Sequence, residues 1–246
     1  MTIEIQNINV FYKNGHEALH DASCQIPDGS ITALLGVNGS GKTTLFRSIM
    51  GVLKINSGKI IIDGQSPEIA IKNNLISYVP QYDDIDWDFP ILVKDVVMMG
   101  RYSYMNFMRK PNPVDYKIVE ESLKKVGMDD LNNRQIGELS GGQKKRVFIA
   151  RALAQESKIL LLDEPFTGVD SKTQETILEL IKQERDKNKI ILISTHDLNI
   201  VPEICDRTIL INKTVQVEGL TQDVFTKENL VNTFGNHLNY YNLNNG

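Results

Sequence analysis

Several things are scarce in this chain of 246 residues, and each shortage closes a route. Only two cysteines occur, Cys24 and Cys205, both beside hydrophobic segments. Two isolated thiols exclude a disulfide framework or a cysteine-rich metal centre; they fit buried thiols in a reducing compartment. No apolar run approaches the roughly 20 residues of a membrane span. The start, Met1-Thr-Ile-Glu-Ile5, has neither a basic n-region nor an apolar h-region, so no signal peptide is expected there. Positive charge is not in excess: 27 Lys and Arg face 31 Asp and Glu, a net charge of -4. That balance argues against nucleic acid as the main partner. Histidine is sparse too. His16 and His20 are four apart, but Gly15 and the strand pattern that follows argue against one helical face, so no transition-metal site is expected. Asp84, Asp86 and Asp88 have the spacing of the first calcium-loop ligands, but the glycine such a loop requires is replaced by Phe89.

What is present begins with Gly36-Val37-Asn38-Gly39-Ser40-Gly41-Lys42-Thr43. It follows the apolar run Ile31–Leu35 and precedes a helix-like stretch from Thr44 to Met50. Strand, glycine loop and helix form the setting a phosphate-binding loop needs. Glycines let successive N–H groups turn inward onto phosphate oxygens, and the helix adds its unpaired N–H groups and positive dipole end. In such a loop Lys42 reaches the β and γ phosphates and the Thr43 hydroxyl binds Mg²⁺. The chain is expected to bind a nucleoside triphosphate.

Short β-branched runs alternate with helical patterns along the rest of the chain. Strands are expected over Ile3–Tyr12, Ala18–Ile26, Ile31–Leu35, Lys59–Asp63 and Ile76–Pro80. The pattern turns helical between Pro90 and Glu156, with Val114–Val126 the clearest stretch. Ile159–Leu162 and Ile190–Ser194 read as central parallel strands, joined by a helix over Lys172–Lys187 with Ser171 as its N-cap. Arg207–Asn212 and Val215–Glu218 read as a hairpin, and Thr221–Phe234 as weakly helical. The polar tail, 236–246, is expected to fray. This alternation means an α/β fold with a mostly parallel sheet.

The run Ile159-Leu-Leu-Leu-Asp163-Glu164 delivers two adjacent carboxylates at the C-terminal end of a strand, where open α/β sheets bind ligands. Neighbouring strand residues face opposite sides, so the two acids are expected to divide the work. Asp163 would hold Mg²⁺, and Glu164 would polarise the attacking water as general base. Leu139-Ser140-Gly141-Gly142-Gln143 then opens a further helix, from Gln143 to Ala154, whose N-terminus is another anion site.

With these three segments the chain resembles the ATP-binding subunits of ABC transporters, from about Ile3 to Gly235. The resemblance implies a P-loop NTPase core, an N-terminal antiparallel β subdomain and a helical signature subdomain at about 90–156, within one domain over 2–235. It implies ATP and Mg²⁺ as cofactors and ATP hydrolysis as the reaction. Tyr12 matches the residue that stacks on adenine. Gln81 matches the glutamine that reaches Mg²⁺ and the water. His196 matches the histidine at the γ-phosphate. Asp170 matches the loop that meets the opposite subunit. Ser140 and Gly142 would act in trans, so two ATP molecules would lie between two head-to-tail copies. Val37 and Gly168-Val169 depart mildly from the common pattern, without removing a functional group.

The stretch Asp86-Trp87-Asp88-Phe89-Pro90 followed by Met99-Gly100-Arg101-Tyr102 is similar to manganese, iron and zinc importers, closest to the manganese/chelated-iron group. That implies a homodimer on the cytoplasmic face of the membrane, an integral membrane permease, and an extracytoplasmic metal-binding protein. Trp87 and Phe89 are then candidates to anchor the permease. The alternatives are a zinc or ferric-siderophore importer, or a non-transport ABC ATPase. The short interval between Gln81 and Ser140 leaves no room for the long coiled coil of the DNA-acting relatives.

Overall fold

In a computed structural model of the chain, residues 1–81 and 89–235 are described. Asp84, Asp86, Trp87 and Asp88, and the tail read as frayed, lie outside them. The N-terminal part is an antiparallel sheet in the order β2-β1-β4, from β1 (Thr2–Phe11), β2 (Glu17–Pro27) and β4 (Ser57–Ile62). Alternation along β1, reset by a register shift between Ile5 and Ile8, buries Ile3, Ile5, Ile8 and Val10. Between β2 and β4 the chain makes β3 (Ser30–Leu35) and α1 (Lys42–Ile49), then a short helix α2 (Pro67–Lys72) leads to β5 (Ile76–Val79). The sequence pattern did not single out α2; Ser66-Pro67-Glu68, a proline in the first turn, was its signal.

The helical part holds α3 (Val93–Met98), a 3₁₀ turn at Met99–Tyr104, α4 (Pro113–Lys125) and α5 (Gly141–Ala154). It is followed by β6 (Ile159–Asp163), α6 (Ser171–Arg185), β7 (Ile190–Ser194), α7 (Val201–Ile204), β8 (Arg207–Asn212), β9 (Thr214–Leu220), α8 (Thr221–Val224) and α9 (Lys227–Phe234). The second sheet runs β5-β6-β7-β3-β8-β9, with only β9 antiparallel. The expected mostly parallel sheet and the β8–β9 hairpin are both there. Asp170, not Ser171, is the N-cap of α6: its carboxylate accepts from the Thr173 backbone N–H at 2.9 Å. Aspartate outranks a serine one residue later because its side chain reaches N3 from the extended position before the helix.

β3, β6 and β7 are wholly buried, as central strands covered on both faces must be. Their alternation feeds two cores. Leu160 and Leu162 face the core that includes α3, α4 and α5. Ile159 and Leu161 face the core shared with α1 and the antiparallel sheet. Asp163 continues the second series and so emerges beside α1.

Candidate functional site

β3 ends in the glycine loop because only glycine fits at two of its positions. A Cβ at Gly36 would lie 2.2 Å from the Ile211 carbonyl oxygen. At Gly41, φ is +103° and a Cβ would lie 2.5 Å from Leu19 Cδ2. Gly41 is also the N-cap of α1 and offers no side-chain acceptor to the helix, so the first N–H groups of α1 face the loop. Lys42 is buried. Its Nζ donates to the carbonyls of Gly36 at 2.7 Å and Val37 at 3.1 Å. Burial pushes its pKa down, opposed by the charges of Glu164 and Asp163.

The two carboxylates separate as expected, but for a different reason. The strand ends at Asp163, and Glu164 turns away with φ +51°, a left-handed conformation that costs energy in a non-glycine residue. Asp163 is held by three hydroxyls. Thr43 Oγ1 donates to its Oδ2 at 3.3 Å, Tyr78 OH to the same oxygen at 3.2 Å, and Ser194 Oγ to Oδ1 at 2.5 Å. The Glu164 backbone N–H donates to Ser194 Oγ at 3.0 Å, and Thr167 Oγ1 donates to Glu164 Oε2 at 3.3 Å. His196 Nε2 lies 3.0 Å from Glu164 Oε1, yet off the hydrogen-bonding line, so this buried oxygen has no hydrogen-bond partner among the described residues.

One cavity of about 420 Å³ gathers most of the expected residues: Tyr12, Asn38 to Thr44, Gln81, Asp163, Glu164 and His196. Tyr12 reaches α1 through a 2.8 Å hydrogen bond between its hydroxyl and Thr44 Oγ1. His16, set aside as a metal ligand, lies in the same cavity, its ring stacked on Tyr12 with 11° between the planes.

Ser140, Gly141, Gly142, Gln143 and Asp170 do not line that cavity. Ser140 is exposed and caps α5 in a reciprocal box: its Oγ accepts from Gln143 N–H, and Gln143 Oε1 accepts from Ser140 N–H at 2.9 Å. Asp170 holds Thr173 through both carboxylate oxygens, which lowers its pKa through the Thr173 backbone N–H first and the hydroxyl second.

Three residues that act on the acid pair, without lining the cavity, were not singled out from sequence. Tyr78 and Ser194 grip Asp163. The lone serine closing Ile190-Ile-Leu-Ile-Ser194 was a legible sign of a polar task at a buried strand end. Lys145 is buried on α5, and burial pushes its pKa down to about 8 against the attraction of Asp163 and Glu164. Only the register of the folded helix reveals it. Among the described residues no group of His, Cys, Asp and Glu could hold a metal by protein ligands alone.

Residues 19–167 match the family model described as ABC transporter. The chain belongs to the ABC transporter family. This ABC chain is 56% identical over 97% of its length, and 81% of the relative's, to the chelated iron transport system membrane protein YfeB of Yersinia pestis. It is 54% identical over 96% of its length, and 90% of the relative's, to the manganese transport system ATP-binding protein MntA of a Synechocystis strain. Its fold matches a chain of a structure described as an inward-facing, metal-chelate type ABC transporter, with TM-score 0.82 and 31% identity over 95% of this chain and 88% of that one. Membership in this family implies that the chain binds nucleotide. No helix among the described residues is long and apolar enough to cross a membrane.

Proposed function

We propose that this chain binds and hydrolyses ATP to drive transport of manganese or iron ions through a membrane permease, working as a homodimer on the cytoplasmic face of the bacterial membrane. The observation that carries the reading is the single cavity joining the glycine loop, Asp163, Glu164, Gln81 and His196. The cargo follows the two relatives named above, a chelated iron and a manganese transport system protein. The metal is cargo, selected by the permease and an extracytoplasmic binding protein.

Loop N–H groups, the start of α1 and Lys42 bind the triphosphate; Tyr12 stacks on the base. The Thr43 hydroxyl and the Asp163 carboxylate, 3.3 Å apart, are hard oxygen donors that suit Mg²⁺, with the Gln81 amide lining the same cavity. Bound there, Mg²⁺ supplies charge neutralisation at the phosphate oxygens. Glu164 Oε1, buried and without a hydrogen-bond partner among the described residues, accepts a proton from the attacking water, and His196 Nε2 beside it orients the γ-phosphate. Because Ser140 and Gly142 lie away from the cavity of their own chain, they complete the site of a second copy. Two ATP molecules are then enclosed between two head-to-tail subunits, with Asp170 at the facing surface.

Removing the chain from its native host tests the coupling. Cellular manganese or iron should fall and return with the wild-type chain but not with Lys42→Ala; unchanged manganese and iron with a fall in zinc would move the assignment to zinc import.

A further inference from the structure

Asp163 is gripped from both neighbouring strands, a feature that neither the glycine loop nor the acid pair requires. On one side, β5 runs parallel to β6 with Tyr78 paired to Leu161. The Tyr78 hydroxyl donates to Asp163 Oδ2 at 3.2 Å, the oxygen that also accepts from Thr43. On the other side, β7 pairs Ser194 with Asp163 itself. Ser194 is fully buried and its hydroxyl donates to Oδ1 at 2.5 Å while accepting from Glu164 N–H. A carboxylate with a donor on each oxygen has lost its freedom to rotate about χ2.

Tyr78 is itself fixed from two directions. Its ring packs on Phe46 of α1 at 6.1 Å between centroids. Its carbonyl accepts from Arg151 Nη2 at 3.3 Å, and the Ile76 carbonyl accepts from Gln155 Nε2 at 2.7 Å. The end of the helix that begins at Ser140 therefore pins the strand that carries the phenol.

We infer that Tyr78 and Ser194 are positioning residues for the divalent ion that accompanies the nucleotide, acting through Asp163. The inference rests on reading Asp163 as the carboxylate on the metal side of the nucleotide. Tyr78 and Ser194 do not line the cavity themselves. They set the direction in which Asp163 presents its oxygens toward the Thr43 hydroxyl. Metal affinity should therefore change without a matching change in nucleotide affinity, a split that a merely structural role would not produce.

The test uses the full-length chain with Mn²⁺ as the probe. Free Mn²⁺ is measured by electron paramagnetic resonance during titration at saturating ADP, and ADP binding is measured separately in excess chelator. Tyr78→Phe keeps the ring and removes only the donor. It should raise the Mn²⁺ dissociation constant by roughly three- to tenfold, the range expected for one lost hydrogen bond. ADP binding in chelator should stay within about twofold, a difference too small to be a lost hydrogen bond. Ser194→Ala should shift Mn²⁺ binding in the same direction, and it carries the test if Tyr78→Phe does not fold. Equal Mn²⁺ affinity in wild type and either folded variant overturns the inference. A parallel loss of metal and nucleotide affinity overturns it too, by making the residues generally structural. If wild type shows no ADP-dependent Mn²⁺ binding, the metal-site reading of Asp163 falls, and the inference with it.

Discussion

Glu164 Oε1 and His196 Nε2 face each other at 3.0 Å across the ends of β6 and β7. The pair is close without being hydrogen-bonded, so the carboxylate oxygen remains available as an acceptor. The left-handed turn at Glu164 creates this arrangement, since an extended continuation of the strand would have pointed the side chain into the core that receives Leu160 and Leu162. If His196 orients the γ-phosphate beside the base, His196→Ala should lower hydrolysis by roughly ten- to hundredfold, less than loss of the base itself. Steady-state phosphate release checks this; an undiminished rate would remove His196 from the mechanism.

Lys42→Ala should weaken ATP binding by roughly ten- to hundredfold, the scale of a charge-assisted hydrogen bond. The fold should survive, because Lys42 lines the cavity and its departure relieves the cost of burying an ammonium. Calorimetric titration with ATP, alongside a melting curve, separates the two effects. Wild-type affinity in the folded variant would contradict the role given to Lys42.

Much of the site could be read from the chain, and the parts that could not have a common cause. The glycine loop, Asp163-Glu164, Gln81 and His196 lie at strand ends in short consecutive motifs, so local sequence carries them. Tyr78, Ser194 and Lys145 matter because β5, β7 and α5 converge on β6, and convergence of separate segments is not written in any one of them. The same holds for His16, whose pairing with Tyr12 depends on the β1–β2 connection. The α6 cap was misplaced by one residue for a local reason, the competition between adjacent Asp170 and Ser171.

Lys145 gives a pH signature. Its pKa in the folded chain is about 8, against about 10.4 in an unfolded one. Between these values the unfolded chain binds more protons, so stability rises with pH through that window. Below pH 8 the cost of the buried ammonium is felt in full. Lys145→Gln removes it. The variant's stability relative to wild type should therefore be highest near pH 7 and decline by up to about 3 kcal/mol toward pH 10. Denaturant unfolding at both pH values checks this, and a pH-independent difference would contradict it.

Phe89, at 59% exposure, is an apolar ring on the surface beside the helical part. If it anchors a permease, Phe89→Ala should reduce metal uptake in cells while ATP hydrolysis by the isolated chain persists. Equal uptake by the variant would remove it from the interface.

The most direct test of the whole account is the state of Glu164→Gln in the presence of ATP. General-base assistance contributes about 10²–10⁴ in rate, so hydrolysis should fall by that order. Glutamine keeps the shape of the side chain and removes a negative charge near the γ-phosphate, so ATP should remain bound. Ser140 and Gly142 of a second copy should then close over it. Sizing chromatography with nucleotide quantification should find a dimer carrying two ATP molecules, and Ser140→Arg in the same background should abolish it. A Glu164→Gln chain that binds ATP, hydrolyses it at the wild-type rate and elutes as a monomer would contradict the account.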